Sequence, residues 1–325
     1  MSGFLPTPQD VRDAAARIAP HIVRTPMLRH RLLDEMTGGT ILVKPEVLQR
    51  TGSFKLRGAT NAAMRLPDAA RVAGVVTHSS GNHGQAVACA SAMLGMPALI
   101  AMPMDAPAIK VESTRRWGAE ITFFDRKTTD RETLAARLAE ERGGTVLRPS
   151  TRGRHRRPGH AGAGIVRGCE GGRPDAGCAG GLHGRGRAHR GLRAGAEGAS
   201  PGTAIWAVEP EGWDDTKRSL EAGARIANDG QGETICDALL SMRPGEITFA
   251  VNQPRLAGAV VVTRAEVFRA MRFAFEHLKI VVEPGGAVAL AAVLAGKVDA
   301  RGKVVGIVVS GGNVDPAVFA EALAA

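Results

Sequence analysis

The sequence predicts an α/β fold with parallel sheets covered on both faces, and three observations carry that expectation. Short β-branched runs alternate with amphipathic helical stretches along most of the chain. Several runs are continuously apolar, Val304–Val309 above all, as strands buried on both faces must be. Polar, glycine-bearing turns follow directly on strands at 77–85 and 310–313, the position where open α/β sheets bind ligands.

Taken in order, Thr7-Pro8-Gln9-Asp10 reads as a helix start with proline at the first helical position, and Val11, Ala15 and Ile18 then recur at helical spacing. Apolar runs at 41–43, 75–77, 98–100, 121–123, 205–208, 260–262 and 304–309 read as buried strands. Helical stretches lie between them around 83–94, 108–117, 130–142, 265–278 and 315–324. With 325 residues, 44% hydrophobic and 23% charged, the chain can bury one large or two ordinary cores, which excludes disorder, collagen and a small disulfide scaffold. No apolar run reaches the roughly eighteen residues of a membrane span, and the first seven residues lack a basic start and an apolar stretch. No membrane association and a cytoplasmic location are therefore expected, with Cys89, Cys169, Cys178 and Cys236 as free thiols.

The 42 Lys and Arg against 32 Asp and Glu give a net charge of +10, which on its face suggests an anionic partner such as nucleic acid. Position argues otherwise. Residues 151–200 hold ten arginines, no lysine and three acids, so +7 sits in that window and only +3 in the rest. The window also holds fifteen of the 41 glycines, and no aromatic residue occurs between Phe124 and Trp206. Nucleic-acid binding through residues 152–193 fits the charge alone and no nucleic-acid partner is expected, because no aromatics interleave the basic residues to stack on bases.

Four constellations could carry chemistry. Thr51-Gly52-Ser53-Phe54-Lys55-Leu56-Arg57-Gly58-Ala59 follows a strand and opens a helix. A lysine among apolar residues at a helix start is placed for its pKa to fall, as Schiff-base formation requires; a snorkelling surface lysine is the alternative. Thr77-His78-Ser79-Ser80-Gly81-Asn82-His83-Gly84-Gln85 leaves a strand and enters a helix, so its backbone N–H groups could hold a carboxylate or phosphate, or it is a capped turn with a surface histidine. Ser310-Gly311-Gly312-Asn313 ends the most apolar strand, and its hydroxyl could bond a ring nitrogen, although glycine-rich turns are common. Glu283-Pro284-Gly285-Gly286 has the same strand-end character.

In this order and spacing the motifs resemble the pyridoxal-phosphate enzymes of fold type II, specifically the serine/threonine dehydratase and serine racemase group. The resemblance covers roughly residues 1–147 and 203–325. It implies two doubly wound open-sheet domains of the tryptophan synthase β-like kind: a large one from 1–50 with 148–325, and a small one at 51–147. By resemblance, Lys55 carries the cofactor and takes the α-proton as general base, Phe54 packs on the pyridine ring, and Asn82 bonds the ring hydroxyl. Ser79, Asn82 and His83 hold the substrate carboxylate, Ser80 stands where racemases of the group place an acid/base, and Glu283 and Ser310 line the cofactor, with Ser310 on the ring nitrogen. A neutral hydroxyl there suits β-elimination better than transamination. Glu209, the Trp213 carbonyl and Asp215 match the oxygen ligands that bind Mg²⁺ or Ca²⁺ in metal-activated members, a donor set suited to a hard cation; an acidic, solvated loop is the other reading of the same residues.

The activity so implied is dehydration and deamination of L-threonine or L-serine to a 2-oxo acid and ammonia. A serine- or aspartate-type racemase and a 3-hydroxyaspartate dehydratase are alternatives on the same scaffold. A small amino-acid substrate, a homodimer and no regulatory domain after Ala325 are expected with it.

One region departs from the pattern. Residues 148–204 show no usable period, and a structureless stretch of that length does not belong inside a compact domain. The family's glycine-rich phosphate loop must fall here, and Ala179-Gly180-Gly181-Leu182 is its best remnant, so Gly180, Gly181 and Leu182 are the expected phosphate contacts. Arg-, Gly-, Ala- and His-rich sequence without aromatics is what a GC-rich gene yields when read out of frame. The alternative outcome is a genuine but inactive relative with a disrupted phosphate site. Sequencing the gene is expected to reveal compensating shifts near codons 149 and 200, with the frame restored by Pro201; an unbroken frame would eliminate the frameshift.

Overall fold

Each of two units contains the parallel strands that the alternation predicts. The computed structural model describes residues 7–148 and 202–325, except Ser80, Pro107 and Arg126. The described residues of Met1–Ala15, Arg24–Leu48 and Pro158–Ala325 form one unit, and those of Ala16–Val23 and Gln49–Arg157 form the second. The expected phosphate loop, Ser80 and nearly all of the anomalous window lie outside the described residues.

In the first unit, β1 (Thr40–Pro45) pairs in parallel with β8 (Val304–Val309), and β6 (Trp206–Pro210) pairs in parallel with β7 (Gly258–Val262). Ile41, Val43, Val305, Ile307 and Val309 enter one core with Met271 and the helix Pro284–Leu294. That helix is buried from Pro284 to Val293. It has no polar face, so it offers no amphipathic period to read. The stretch expected as one helix at 265–278 divides in two. A capping box of Thr263 and Glu266 opens the α-helix Arg264–Phe273, which continues as a π-helical turn, Ala274–Leu278, closed by Lys279 at a left-handed φ of 57°.

The second unit is built on a four-stranded parallel sheet in the order β4 (Glu120–Phe124), β3 (Ala98–Pro103), β2 (Val75–His78), β5 (Thr145–Val146). Alternate residues feed opposite faces, as a pleated strand requires. Val75, Ile100 and Met102 pack with Leu56, Ala86 and Val87 of the helices Lys55–Ala63 and Asn82–Met93, whereas Val76 and Leu99 pack with Ala135 and Ala139 of Arg131–Glu141. Among the described residues, no helix is long and apolar enough to cross a membrane.

Ala16–Val23 group with the second unit although their sequence neighbours on both sides belong to the first. Side chains account for this. The Gln49 amide accepts from Val23 N–H at 2.8 Å and donates to the Val23 carbonyl at 2.9 Å, imitating a rung of β-sheet, and Arg17 donates to the buried Asn61 of the Lys55–Ala63 helix at 2.7 Å. Gln49→Leu keeps the volume, removes the acceptor of Val23 N–H and leaves the Val23 carbonyl only the longer bond from Arg57, at 3.4 Å. It is expected to lower unfolding free energy by about 1–3 kcal/mol, measured by urea denaturation.

Candidate active site

Chemistry-bearing side chains collect where the strands end. In the second unit, Gly52 at φ 66° turns the chain into Ser53-Phe54-Lys55, and the helix Lys55–Ala63 starts at Lys55 itself. Leu56, Ala59, Thr60 and Ala63 bury one side of that helix. Lys55 is left half-buried at its start, with Nζ 4.7 Å from the centroid of the Phe54 ring, within cation–π range. Ser53 beside them is fully buried, and its hydroxyl has no hydrogen-bond partner. Such a group costs about 1–3 kcal/mol. The motif contains Ser53, but nothing in the sequence marks its hydroxyl as unsatisfied.

Beyond β2, Ser79 N–H extends the ladder to the Ala101 carbonyl at 3.0 Å, and the Ser79 hydroxyl accepts from Gly81 N–H at 3.2 Å. The helix Asn82–Met93 then begins without a side-chain cap. First-turn N–H groups have no intrahelical acceptor, and the helix dipole adds positive potential at that end, so it suits an anion. Only glycine lets this turn close: a Cβ on Gly84 would stand 2.5 Å from the Ser79 carbonyl oxygen. The His83 ring is buried, with Nε2 3.2 Å from the Leu147 carbonyl, which also accepts the Thr77 hydroxyl at 2.6 Å. A carbonyl can only accept, so Nε2 carries the proton and the imidazole braces the end of the sheet.

In the first unit, Ser310 leaves β8 only 5% exposed. Glu283 N–H donates to the neighbouring Gly311 carbonyl at 3.0 Å, bringing the two expected cofactor-lining segments side by side. Backbone meets backbone there: a Cβ on Gly286 would overlap the Gly311 oxygen, and one on Gly312 would lie 2.5 Å from the Val281 oxygen. Glu283 itself is buried at the N-cap position of the helix Pro284–Leu294.

Glu209, Trp213 and Asp215 also lie in the first unit. Glu209 is fully buried in β6, and its two oxygens accept the backbone N–H groups of Thr216 and Lys217, each at 2.8 Å. It thus anchors the start of the helix Asp215–Ala222. Burial pushes its carboxyl up to about 7 despite those two hydrogen bonds. Asp215, equally buried, accepts from the Asn228 amide at 3.1 Å, and Trp213 Nε1 donates to the Gly232 carbonyl at 2.6 Å. Among the described residues no three His, Cys, Asp or Glu side chains converge as a metal site. Two buried carboxylates with oxygen donors nonetheless suit a hard cation chemically, with any third protein donor coming from the backbone.

Residues 18–311 match the family described as pyridoxal-phosphate dependent enzyme. The chain belongs to that family. It is 42% identical to the L-threo-3-hydroxyaspartate ammonia-lyase of Pseudomonas sp, over 97% of each chain. It is 38% identical to the Saccharomyces cerevisiae protein of the same name, over 96% of this chain and 94% of that one. The structure of maize serine racemase superposes with a TM-score of 0.88 at 33% identity, covering 99% of this chain and 98% of that one. The fold type II architecture expected from the motifs is therefore that of its structural relatives.

The described residues fit the family's cofactor on their own chemistry. Taken unit by unit, the second has an amine at a helix start over an aromatic ring, with Ser53 buried without a partner, and the first has a buried seryl hydroxyl ending an apolar parallel strand. Protein purified with pyridoxal phosphate is expected to be yellow. Lys55→Ala should abolish the visible band while leaving the far-ultraviolet circular dichroism unchanged; retention of the band would remove Lys55 from its assigned place.

Proposed function

We propose that the chain is an ammonia-lyase acting on L-threo-3-hydroxyaspartate, giving oxaloacetate and ammonia. The observation that carries this reading is 42% identity, end to end, with a lyase named for that substrate. It moves the substrate from L-threonine or L-serine to the 3-hydroxyaspartate alternative. Water lost across Cα–Cβ is regained when the nitrogen is hydrolysed off, so the reaction balances without an oxidant.

Pyridoxal phosphate, when bound, supplies the electron sink that makes the α-proton removable. Lys55, Phe54, Asn82, Glu283 and Ser310 would hold it, with Ser310 donating to the ring nitrogen. Lys55 Nζ takes the α-proton. Ser79, Asn82 and the main-chain N–H of His83 receive the α-carboxylate at the positive end of the helix Asn82–Met93, the His83 ring being committed to Leu147. Glu209, the Trp213 carbonyl and Asp215 would hold Mg²⁺ or Ca²⁺, lowering the cost of two buried carboxylates and stiffening the start of the helix Asp215–Ala222.

The maize relative supports a second reading, racemisation of serine, which needs an acid/base on the opposite face of the substrate, the place expected for Ser80. One assay series separates the readings. Holoenzyme is given L-threo-3-hydroxyaspartate, L-threonine or L-serine, with and without Mg²⁺ and EDTA, and oxaloacetate, 2-oxobutanoate, pyruvate and D-serine are measured. Oxaloacetate is expected to dominate by at least about tenfold in kcat/KM, with EDTA lowering the rate. Dominant 2-oxobutanoate or D-serine would overturn the substrate assignment.

A further inference from the structure

The first unit buries two ionisable side chains that the reaction above does not use. Lys44 is 3% exposed and Glu46 is 0% exposed, at the carboxyl end of β1. Both meet on Thr25, itself buried: Lys44 Nζ donates to the Thr25 carbonyl at 2.6 Å, and the Thr25 hydroxyl donates to Glu46 Oε1 at 2.9 Å. Charged groups withdrawn from water are costly and persist only where partners compensate them, so a fully buried carboxylate at a strand end asks for a reason.

Strand register shows what lies beside it. Lys44 stands opposite Val308 and Pro45 opposite Val309, so Glu46 and Ser310 are the first residues beyond two paired strand ends. After Glu46 the chain turns through the 3-10 segment Glu46–Leu48. Val47 of that turn packs so closely that a Cβ on Gly312 would lie 3.2 Å from the Val47 Cβ. The Ser310-Gly311-Gly312 turn therefore has two supports. One is the 281–286 segment, through Glu283 N–H on the Gly311 carbonyl. The other is the 46–48 turn, whose first residue is tied down by Thr25.

We propose that Glu46, held by Thr25 and flanked by Lys44, is a positioning residue for the Ser310 turn and so fixes the hydroxyl that would bond the cofactor's ring nitrogen. The proposal rests on the pyridoxal-phosphate reading of Ser310. A hydrogen bond weakens steeply as its distance and angle degrade, and a hydrogen bond to the ring nitrogen tunes the cofactor's electronics. A turn released on one side thus loses affinity and alters the spectrum together. Glu46 touches neither substrate nor cofactor in this role; it acts through Ser310.

The test uses full-length wild type, Glu46→Gln and Thr25→Val, each titrated with pyridoxal phosphate by equilibrium dialysis and scanned in the visible across a range of pH. Glu46→Gln keeps the shape and removes the charge. It is expected to bind pyridoxal phosphate at least about tenfold more weakly and to shift the visible band or its pH dependence, with unchanged far-ultraviolet circular dichroism. Thr25→Val removes only the hydroxyl that orients Glu46, and should move both readouts in the same direction by about threefold in affinity. If Glu46→Gln does not fold, Thr25→Val decides alone. A merely structural role would lower the melting temperature without moving the band of the folded protein. Variants that bind within about twofold of wild type, with its spectrum, overturn the positioning role and leave the cofactor reading standing. A wild type that takes up no pyridoxal phosphate overturns the cofactor reading itself, and the role of Glu46 with it.

Discussion

The first unit depends on the pairing of β1 with β8. Thr40 stands opposite Val304, so the two strands come from opposite ends of the sequence and no local signal joins them. Closing so long a loop costs an entropy that grows only slowly with length. Burial offsets it: Ile41, Val43, Val305, Ile307 and Val309 lose nearly all contact with water against a helix buried along almost its whole length. Because the pair is parallel, both strands deliver their carboxyl ends to one edge. Glu46 and Ser310 arrive there together, although their sequence neighbourhoods share nothing.

The second unit solves the same geometric problem with different residues. Its helix Asn82–Met93 must start close to the end of β2 if first-turn N–H groups are to serve as an anion site, and Gly84 supplies the missing side chain that would otherwise meet the Ser79 carbonyl. Thr77 and His83 then fasten Leu147, at the end of the short edge strand β5, to the same place. Gly286 and Gly312 do the corresponding work around Ser310. Gly84, Gly286 and Gly312 thus serve close backbone approach, and none of the three takes a positive φ, whereas Gly52 is needed for its left-handed turn.

What the sequence made legible follows from which forces leave a periodic trace. The apolar runs of β1, β3 and β8 and the motif around Lys55 were readable because burial on both faces and the strand-to-helix turn each impose a residue pattern. The helix Pro284–Leu294 was not, since complete burial erases the polar face that gives a helix its period. Strand β5, at Thr145–Val146, is too short to show one. Glu46 follows a proline and precedes a valine, a context that reads as surface; its burial is visible only once Thr25 and Lys44 are folded against it. The imidazole of His83 was legible as part of a site motif but not as a brace, because its partner is a main-chain carbonyl sixty-four residues away. Glu209 was readable as an acid at a strand end, whereas its hold on the Thr216 and Lys217 amides depends on where the next helix starts.

The substrate question reduces to one substituent at Cβ. Threonine carries a methyl group there beside its hydroxyl, serine a hydrogen and 3-hydroxyaspartate a carboxylate. A pocket lined to accept a methyl group discriminates weakly, since one methyl is worth about 1–3 kcal/mol. A second carboxylate must instead be stripped of water, and that is tolerable only opposite a fixed cation or several N–H donors. Such a pocket holds polar groups that a methyl group would leave unpaired, so it rejects threonine far more strongly than an apolar pocket rejects a wrong alkyl group. The net charge of +10 is no guide to that cation, because +7 of it lies within residues 151–200. One or two positioned charges at a strand end would set the specificity, and the scaffold that carries them can be shared by lyases of either kind.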